Sequence, residues 1–245
     1  SPNKKGLNSP LAKETSEKDS RFLEGQLLVA MPGMTDQRFA KSVIYLCAHS
    51  EEGAMGIILN QASQVQNFPD LLVQLQIIAE QDRILLPPRA ENLPVLFGGP
   101  VQTDRGFILH TPDFHLDQST MTIDESVSLT ATVDILRAIA AGDGPDLAIM
   151  ALGYAGWDAG QLEDEMQQNG WLHCPFNQSL VFDRDVHTKY DRALRSIGVD
   201  LAQPKVTKHV RCAGVLHVLE RDAHEQRRVL RHAGKEGQDF LIAAY

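Results

Sequence analysis

Only eight residues separate the apolar run Val-Ile-Tyr-Leu-Cys at 43–47 from the next one, Gly-Ile-Ile-Leu at 56–59, and Glu-Glu-Gly at 51–53 stands among them. A parallel crossover needs a dozen residues or more, so two strands this close must pair antiparallel through a tight turn. That constraint recurs along the chain. LPVLFGGP at 93–100 and GFILH at 106–110 read as a second hairpin turning at the glycines, and STMTIDESVSLT at 119–130 reads as strand and turn. QLLVAMP at 26–32 is a further strand, stopped at Pro32, which cannot continue a central ladder. The near-continuous apolar character of these strands predicts burial on both faces, with helices packed over the sheet.

Helical spacing alternates with the strands. Phe68, Leu71, Leu72, Leu75, Ile77 and Ile78 approach a helical period over 68–80, with Pro69 and Asp70 in the first turn. Residues 128–142 read as a helix ended by Gly142. DLAIMALGYAGW at 146–157 reads as a strand opening into a glycine-bearing loop, 159–171 as a helix, SLVFD at 179–183 as a strand and 189–199 as a closing helix. The expected class is α/β of the α+β kind: a mixed, largely antiparallel sheet carrying helices, and not a doubly wound Rossmann domain.

Charge divides the chain. Residues 23–203 hold 24 acidic and 10 basic side chains, whereas 204–245 hold eight basic and five acidic. Three parts are expected: a flexible polar leader over 1–22, one domain over 23–203, and a basic extension over 204–245, either disordered or helical. Phosphate neutralisation dominates nucleic-acid affinity, so direct nucleic-acid binding by the acidic domain is disfavoured. No apolar run approaches the roughly 20 residues of a bilayer span, so no membrane partner is expected. Three widely spaced cysteines (Cys47, Cys174, Cys212) without a CxxC pair argue against a disulfide framework and a thiolate zinc site. With no signal-peptide pattern at residues 1–22, they point to a cytoplasmic protein.

Catalytic signals are sparse. Neither G-x-x-x-x-G-K-[ST] nor G-x-G-x-x-G nor G-x-S-x-G occurs. A two-histidine metal site drawn from His49, His110 and His115 lacks a visible third ligand at suitable spacing, and His173-Cys174 is a pair in sequence only. Glu163, Asp164 and Glu165 suit the first turn of a helix, where carboxylates complement the dipole. Gln161 and Glu165, one turn apart, share a face and can present hydrogen-bonding groups together. No metal and no cofactor is expected.

Three blocks in order resemble one family. GQLLVAMPGMTDQRFAKSVIYLCAHSEEGAMGIILN at 25–60, FGGPV at 97–101 with RGFILH at 105–110, and GYAGWDAGQLEDEMQQNGWL at 153–172 are similar to the signature blocks of the YqgE/AlgH family. The resemblance covers about 23–203. It implies a cytoplasmic bacterial protein whose bent sheet has partial barrel character and is surrounded by helices. It implies no established enzymatic activity; the label of putative transcriptional regulator attached to some members is not evidence of DNA binding.

The leading expectation is a non-enzymatic binding or regulatory protein with a protein or small-molecule partner. Its candidate cleft comprises Met31, Pro32, His49, Asn60, Gly98, Gly99, Pro100, His110, Gly156, Trp157, Gln161 and Glu165, with no catalytic residue assigned. The alternatives are a hydrolase using His49, His110 and Glu165 around a common reacting atom, and a DNA-binding regulator acting through the basic extension.

Overall fold

A computed structural model describes residues 22–64 and 67–199; the basic extension and, apart from Phe22, the leader lie outside them. Nine strands among the described residues form one sheet. In chain order they are β1 (Leu27–Ala30), β2 (Val43–Ser50), β3 (Gly53–Ile58), β4 (Val95–Phe97), β5 (Val101–His110), β6 (Thr120–Thr122), β7 (Ser128–Thr130), β8 (Ala148–Asp158) and β9 (Trp171–Cys174). Their spatial order is β6-β7-β5-β8-β3-β2-β1-β9, with β4 alongside β8. The short turn at 51–52 closes β2 on β3, Ser50 facing Gly53, as its length demands. All pairings are antiparallel except β4 with β8.

Six α-helices among the described residues accompany the sheet: α1 (Phe68–Gln74), α2 (Pro88–Glu91), α3 (Val133–Ala141), α4 (Gln161–Gln167), α5 (Gln178–Phe182) and α6 (Lys189–Ser196). Local chemistry sets their ends. Asn67 caps α1 by accepting from Asp70 N at 2.9 Å, a contact of about 1 kcal/mol. Gly142 ends α3 in the left-handed conformation, φ 90°, as the sequence predicts.

Period-two alternation sorts the central strands between two cores. Ile149 and Ala151 of β8, with Phe107 and Leu109 of β5, face the larger core; Met150, Leu152 and Ile108 face a second one built with α1, α2 and α3. On the larger core's side the sheet curls. The seven-residue α4 touches β8 and β3 and also β9, although β2 and β1 lie between β3 and β9 in the sheet. A helix that short reaches both only if the strands wrap around it, which makes the curled half-barrel.

Several local expectations are corrected. Segments 93–100 and 106–110 do not form a hairpin, because β8 lies between them, parallel to β4 and antiparallel to β5. The chain reaches the other flank of β8 by crossing its backbone. At the crossing a Cβ on Gly99, where φ is 153°, would fall on the Tyr154 carbonyl, and one on Gly153, where φ is 72°, would meet the Gly99 oxygen. Only glycine permits that approach of two backbones. The expected loop at 153–157 is therefore strand, since β8 runs on to Asp158 against β3.

Ser128–Thr130 is strand β7 and not the start of a helix, because cross-strand partners on β5 and β6 claim its backbone. SLVFD at 179–183 is mostly helix, since the Asn177 side chain accepts from Ser179 N and Leu180 N and opens α5. An apolar run this short does not distinguish strand from helix by periodicity. Trp171 begins β9 and does not end the preceding helix, and α1 stops at Gln74 before Gln76 takes a positive φ of 55°.

Candidate functional site

Gln161 and Glu165 lie one turn apart on α4, and the curl of the sheet brings both tryptophans of the chain to them. Glu165 Oε2 accepts from Trp157 Nε1 at 3.0 Å and from Trp171 Nε1 at 2.7 Å. Glu165 Oε1 accepts from Gln161 Nε2 at 2.8 Å, and Gln161 Oε1 takes the Asp158 N–H at 3.0 Å. The two indoles meet edge to face at 5.9 Å. Trp157 is on β8 and Trp171 on β9, so one carboxylate ties the two ends of the curled segment together across α4.

His49 joins the same helix through another residue. Its Nδ1 accepts the Leu23 N–H at 3.0 Å, which places the ring proton on Nε2, and Nε2 donates to Glu163 Oε1 at 2.8 Å. The candidate list missed Glu163, because the pairing spans 114 positions and carries no local signature. It also left out Trp171, although both tryptophans bracket Gln161 and Glu165 in the sequence.

Met31 and Pro32 enter this neighbourhood from β1. Met31 N donates to Gly170 O at 3.0 Å beside Trp171, and Phe39 packs edge to face on Trp171 at 5.8 Å. Between them runs a surface loop in which Pro32, Gly33, Thr35, Gln37 and Arg38 are exposed. Asp36 grips the Arg38 guanidinium at 2.7 and 3.1 Å, and this hydrogen bonding holds the Asp36 carboxyl below its usual range. Asn60 secures the far end: its Oδ1 accepts from Val43 N and its Nδ2 donates to Lys41 O, both at 2.8 Å. Lys41 itself has a positive φ of 57°, a cost the surrounding bonds must offset.

Other candidates stand apart or play backbone roles. Gly98 and Gly99 make the crossing over β8, with Pro100 following them; Gly98 O accepts from Ile58 N at 2.9 Å. Gly156 pairs with Met55 inside the sheet, next to Trp157.

His110 belongs to a different network. Its Nδ1 donates to Thr111 O at 2.8 Å, so Nε2 accepts from Thr130 Oγ1 at 2.9 Å; Thr130 in turn takes a hydrogen bond from Thr120 at 2.8 Å. Burial pushes this imidazole below its ordinary value. The network lies on β5, β7 and β6, so His110 does not share a reacting atom with His49 and Glu165. The three-residue constellation of the hydrolase alternative is not assembled.

His173 and Cys174 point to opposite sides of β9: His173 is exposed against Gln26, while Cys174 is buried and its thiol is pushed up by burial. Among the described residues no group of three His, Cys, Asp or Glu side chains could hold a metal ion, and no helix is long and apolar enough to cross a membrane.

The family model described as AlgH-like matches residues 27–202. The chain belongs to the AlgH-like family. Its relatives include a UPF0301 protein of Methylobacterium nodulans, 66% identical over 181 residues, covering 74% of this chain and 86% of that protein. A UPF0301 protein of Beijerinckia indica is 61% identical over 192 residues, covering 78% and 94%. The solution structure of the AlgH protein from Pseudomonas aeruginosa is 38% identical with a TM-score of 0.62, covering 84% of this chain and 100% of that one. A crystal structure from Corynebacterium diphtheriae, 22% identical with a TM-score of 0.53 over 70% of this chain and 85% of that one, shares the fold. In this AlgH-like chain, therefore, the three sequence blocks build one half-barrel around α4, and the third supplies the three side chains that bind the Glu165 carboxylate.

Proposed function

We propose that this AlgH-like protein is a non-enzymatic binding or regulatory protein whose contact surface is the loop over 31–42. One observation carries the reading: contacts from Asn60, Gly170 and Trp171 tie down both ends of that loop while its polar tip stays exposed. Met31 and Phe39 are anchored at Gly170 and Trp171, Asn60 fixes Lys41, and Asp36 clamps Arg38. Loops that carry function are displayed on rigid scaffolds, and order established before binding lowers the entropic cost of association. The three side chains of the hydrolase alternative are instead engaged in contacts that hold structure. His49 and Glu165 tie α4 to the sheet, and His110 is enclosed with threonines.

The test compares crosslinked capture from native cytosol by the wild-type chain and by a Gln37→Ala/Arg38→Ala double variant. Specific loss of captured species in the double variant, with an unchanged melting temperature, supports the reading. Identical capture by both proteins removes it.

A further inference from the structure

A second surface lies away from the 31–42 loop, where the two apolar cores adjoin. A cleft of about 120 Å³ opens between α2, the end of α3 with its connection into β8, and the end of α5. Phe182, from the larger core, and Leu93 and Ile139, from the second, form its apolar floor. Apolar cavities of about 150 Å³ accept a benzene ring, so this space suits one ring or a short branched chain. Leu147, 37% exposed and one of three large exposed hydrophobic side chains among the described residues, stands on its wall.

That wall is built rather than loose. Asp146 N donates to Asp113 Oδ2 at 2.8 Å, and Leu147 N donates to Thr111 Oγ1 at 3.2 Å. Gly144 lies so close to Ile139 that a Cβ there would stand 2.6 Å from the Ile139 Cγ1 atom.

Two arginines give the cleft its sign. Arg89 is paired with Asp146 at 2.8 Å, both side chains 73% exposed, and such a surface pair contributes little and exchanges partners readily. The exposed Arg184 also lines the cleft, and its guanidinium has no partner among the described residues. The neighbouring Asp183 is committed to Arg192 at 2.6 Å and Asp185 to Thr188 at 2.8 Å. On a domain where acidic side chains outnumber basic ones 24 to 10 over 23–203, a guanidinium left open beside an apolar floor is the feature that selects a ligand. Guanidinium groups recognise carboxylates through paired N–H donors. From the floor, the volume and the two arginines, we infer that this cleft binds a small organic carboxylate with an aromatic or branched aliphatic body.

The test uses the full chain labelled with ¹⁵N and titrated with benzoate, benzamide and inorganic phosphate. Benzoate should produce saturable shifts at the amides of Gly142, Gly144, Asp146 and Leu147. Benzamide, which keeps the ring and loses the charge, should bind about tenfold more weakly. Arg184→Met, at an exposed position whose guanidinium has no partner among the described residues, should leave the remaining spectrum in place and weaken benzoate by about fivefold to tenfold. Absence of saturable benzoate shifts at these amides overturns the inference. So does equal binding of benzamide, phosphate binding as tight as benzoate, or an Arg184→Met variant that binds benzoate as the wild type does.

Discussion

Replacing Glu165 by alanine should destabilise the domain by about 2–6 kcal/mol. The carboxylate accepts three hydrogen bonds, from Trp157 and Trp171 on one oxygen and from Gln161 on the other. Trp157 is 6% and Trp171 4% exposed, so neither indole N–H can readily turn to water instead. A buried donor left without a partner costs about 1–3 kcal/mol. Two such donors give a loss of about 2–6 kcal/mol, toward the lower end if a water enters the vacated space.

Glu165→Gln separates the terms. Its remaining oxygen can still take both indole bonds, but its amide then confronts the Gln161 amide, donor against donor. Gln161 cannot rotate without giving up the Asp158 N–H. The expected order of stability is wild type, then Glu165→Gln, then Glu165→Ala. Urea unfolding followed by intrinsic fluorescence is the natural assay, because the chain has two tryptophans and both are bound to this carboxylate. Combining Glu165→Ala with Trp157→Phe removes a stranded donor and should cost less than the two single losses added together. An unchanged urea midpoint for Glu165→Ala, or strict additivity in the double variant, would refute the reasoning.

Three further outcomes follow from buried groups and from the crossing. Lys189 is fully buried, donates to Val181 O at 3.0 Å, and is pushed down chiefly by burial to about 8 from its ordinary 10.5. The unfolded chain therefore binds the extra proton between those values, so stability should rise with pH across that window, the penalty being fully present below about pH 8. Lys189→Met should abolish that rise and stabilise the protein at pH 7 by about 1–3 kcal/mol in urea titrations.

For His110, burial lowers the imidazole below its ordinary 6.5. Stability should accordingly fall as the pH drops below about 6.5 and the unfolded state gains the proton first. An NMR titration placing the His110 midpoint above that ordinary value would contradict this. Gly99→Ala should cost more than about 4 kcal/mol, because the new methyl meets backbone that cannot move aside; a normal thermal melt for this variant would show that the crossing is not rigid.

Much of the architecture was legible from short-range features. The 51–53 turn forced β2 onto β3, Gly142 marked the end of α3, and the i, i+4 spacing put Gln161 and Glu165 on one face. Each depends on a few adjacent residues, whose geometry is set by turn length or helical period. SLVFD was misread because its helix depends on a single capping side chain, Asn177, just before it. The 97–110 segment was misread because nothing nearby in the chain announces that β8, some fifty positions later, will lie between β4 and β5.

The sequence alone therefore determined the antiparallel class, the family and the pairing of polar groups within α4, since these rest on backbone geometry a few residues long. Tertiary structure decided which distant side chains share an atom. It placed both indoles on Glu165, gave His49 to Glu163 and not to Glu165, withdrew His110 into a threonine network, and opened the arginine-lined cleft between two cores. Those contacts depend on how far the sheet curls and in what order its strands lie. Both are set by burying two apolar faces at once, a property of the whole packed domain that no local stretch of sequence contains.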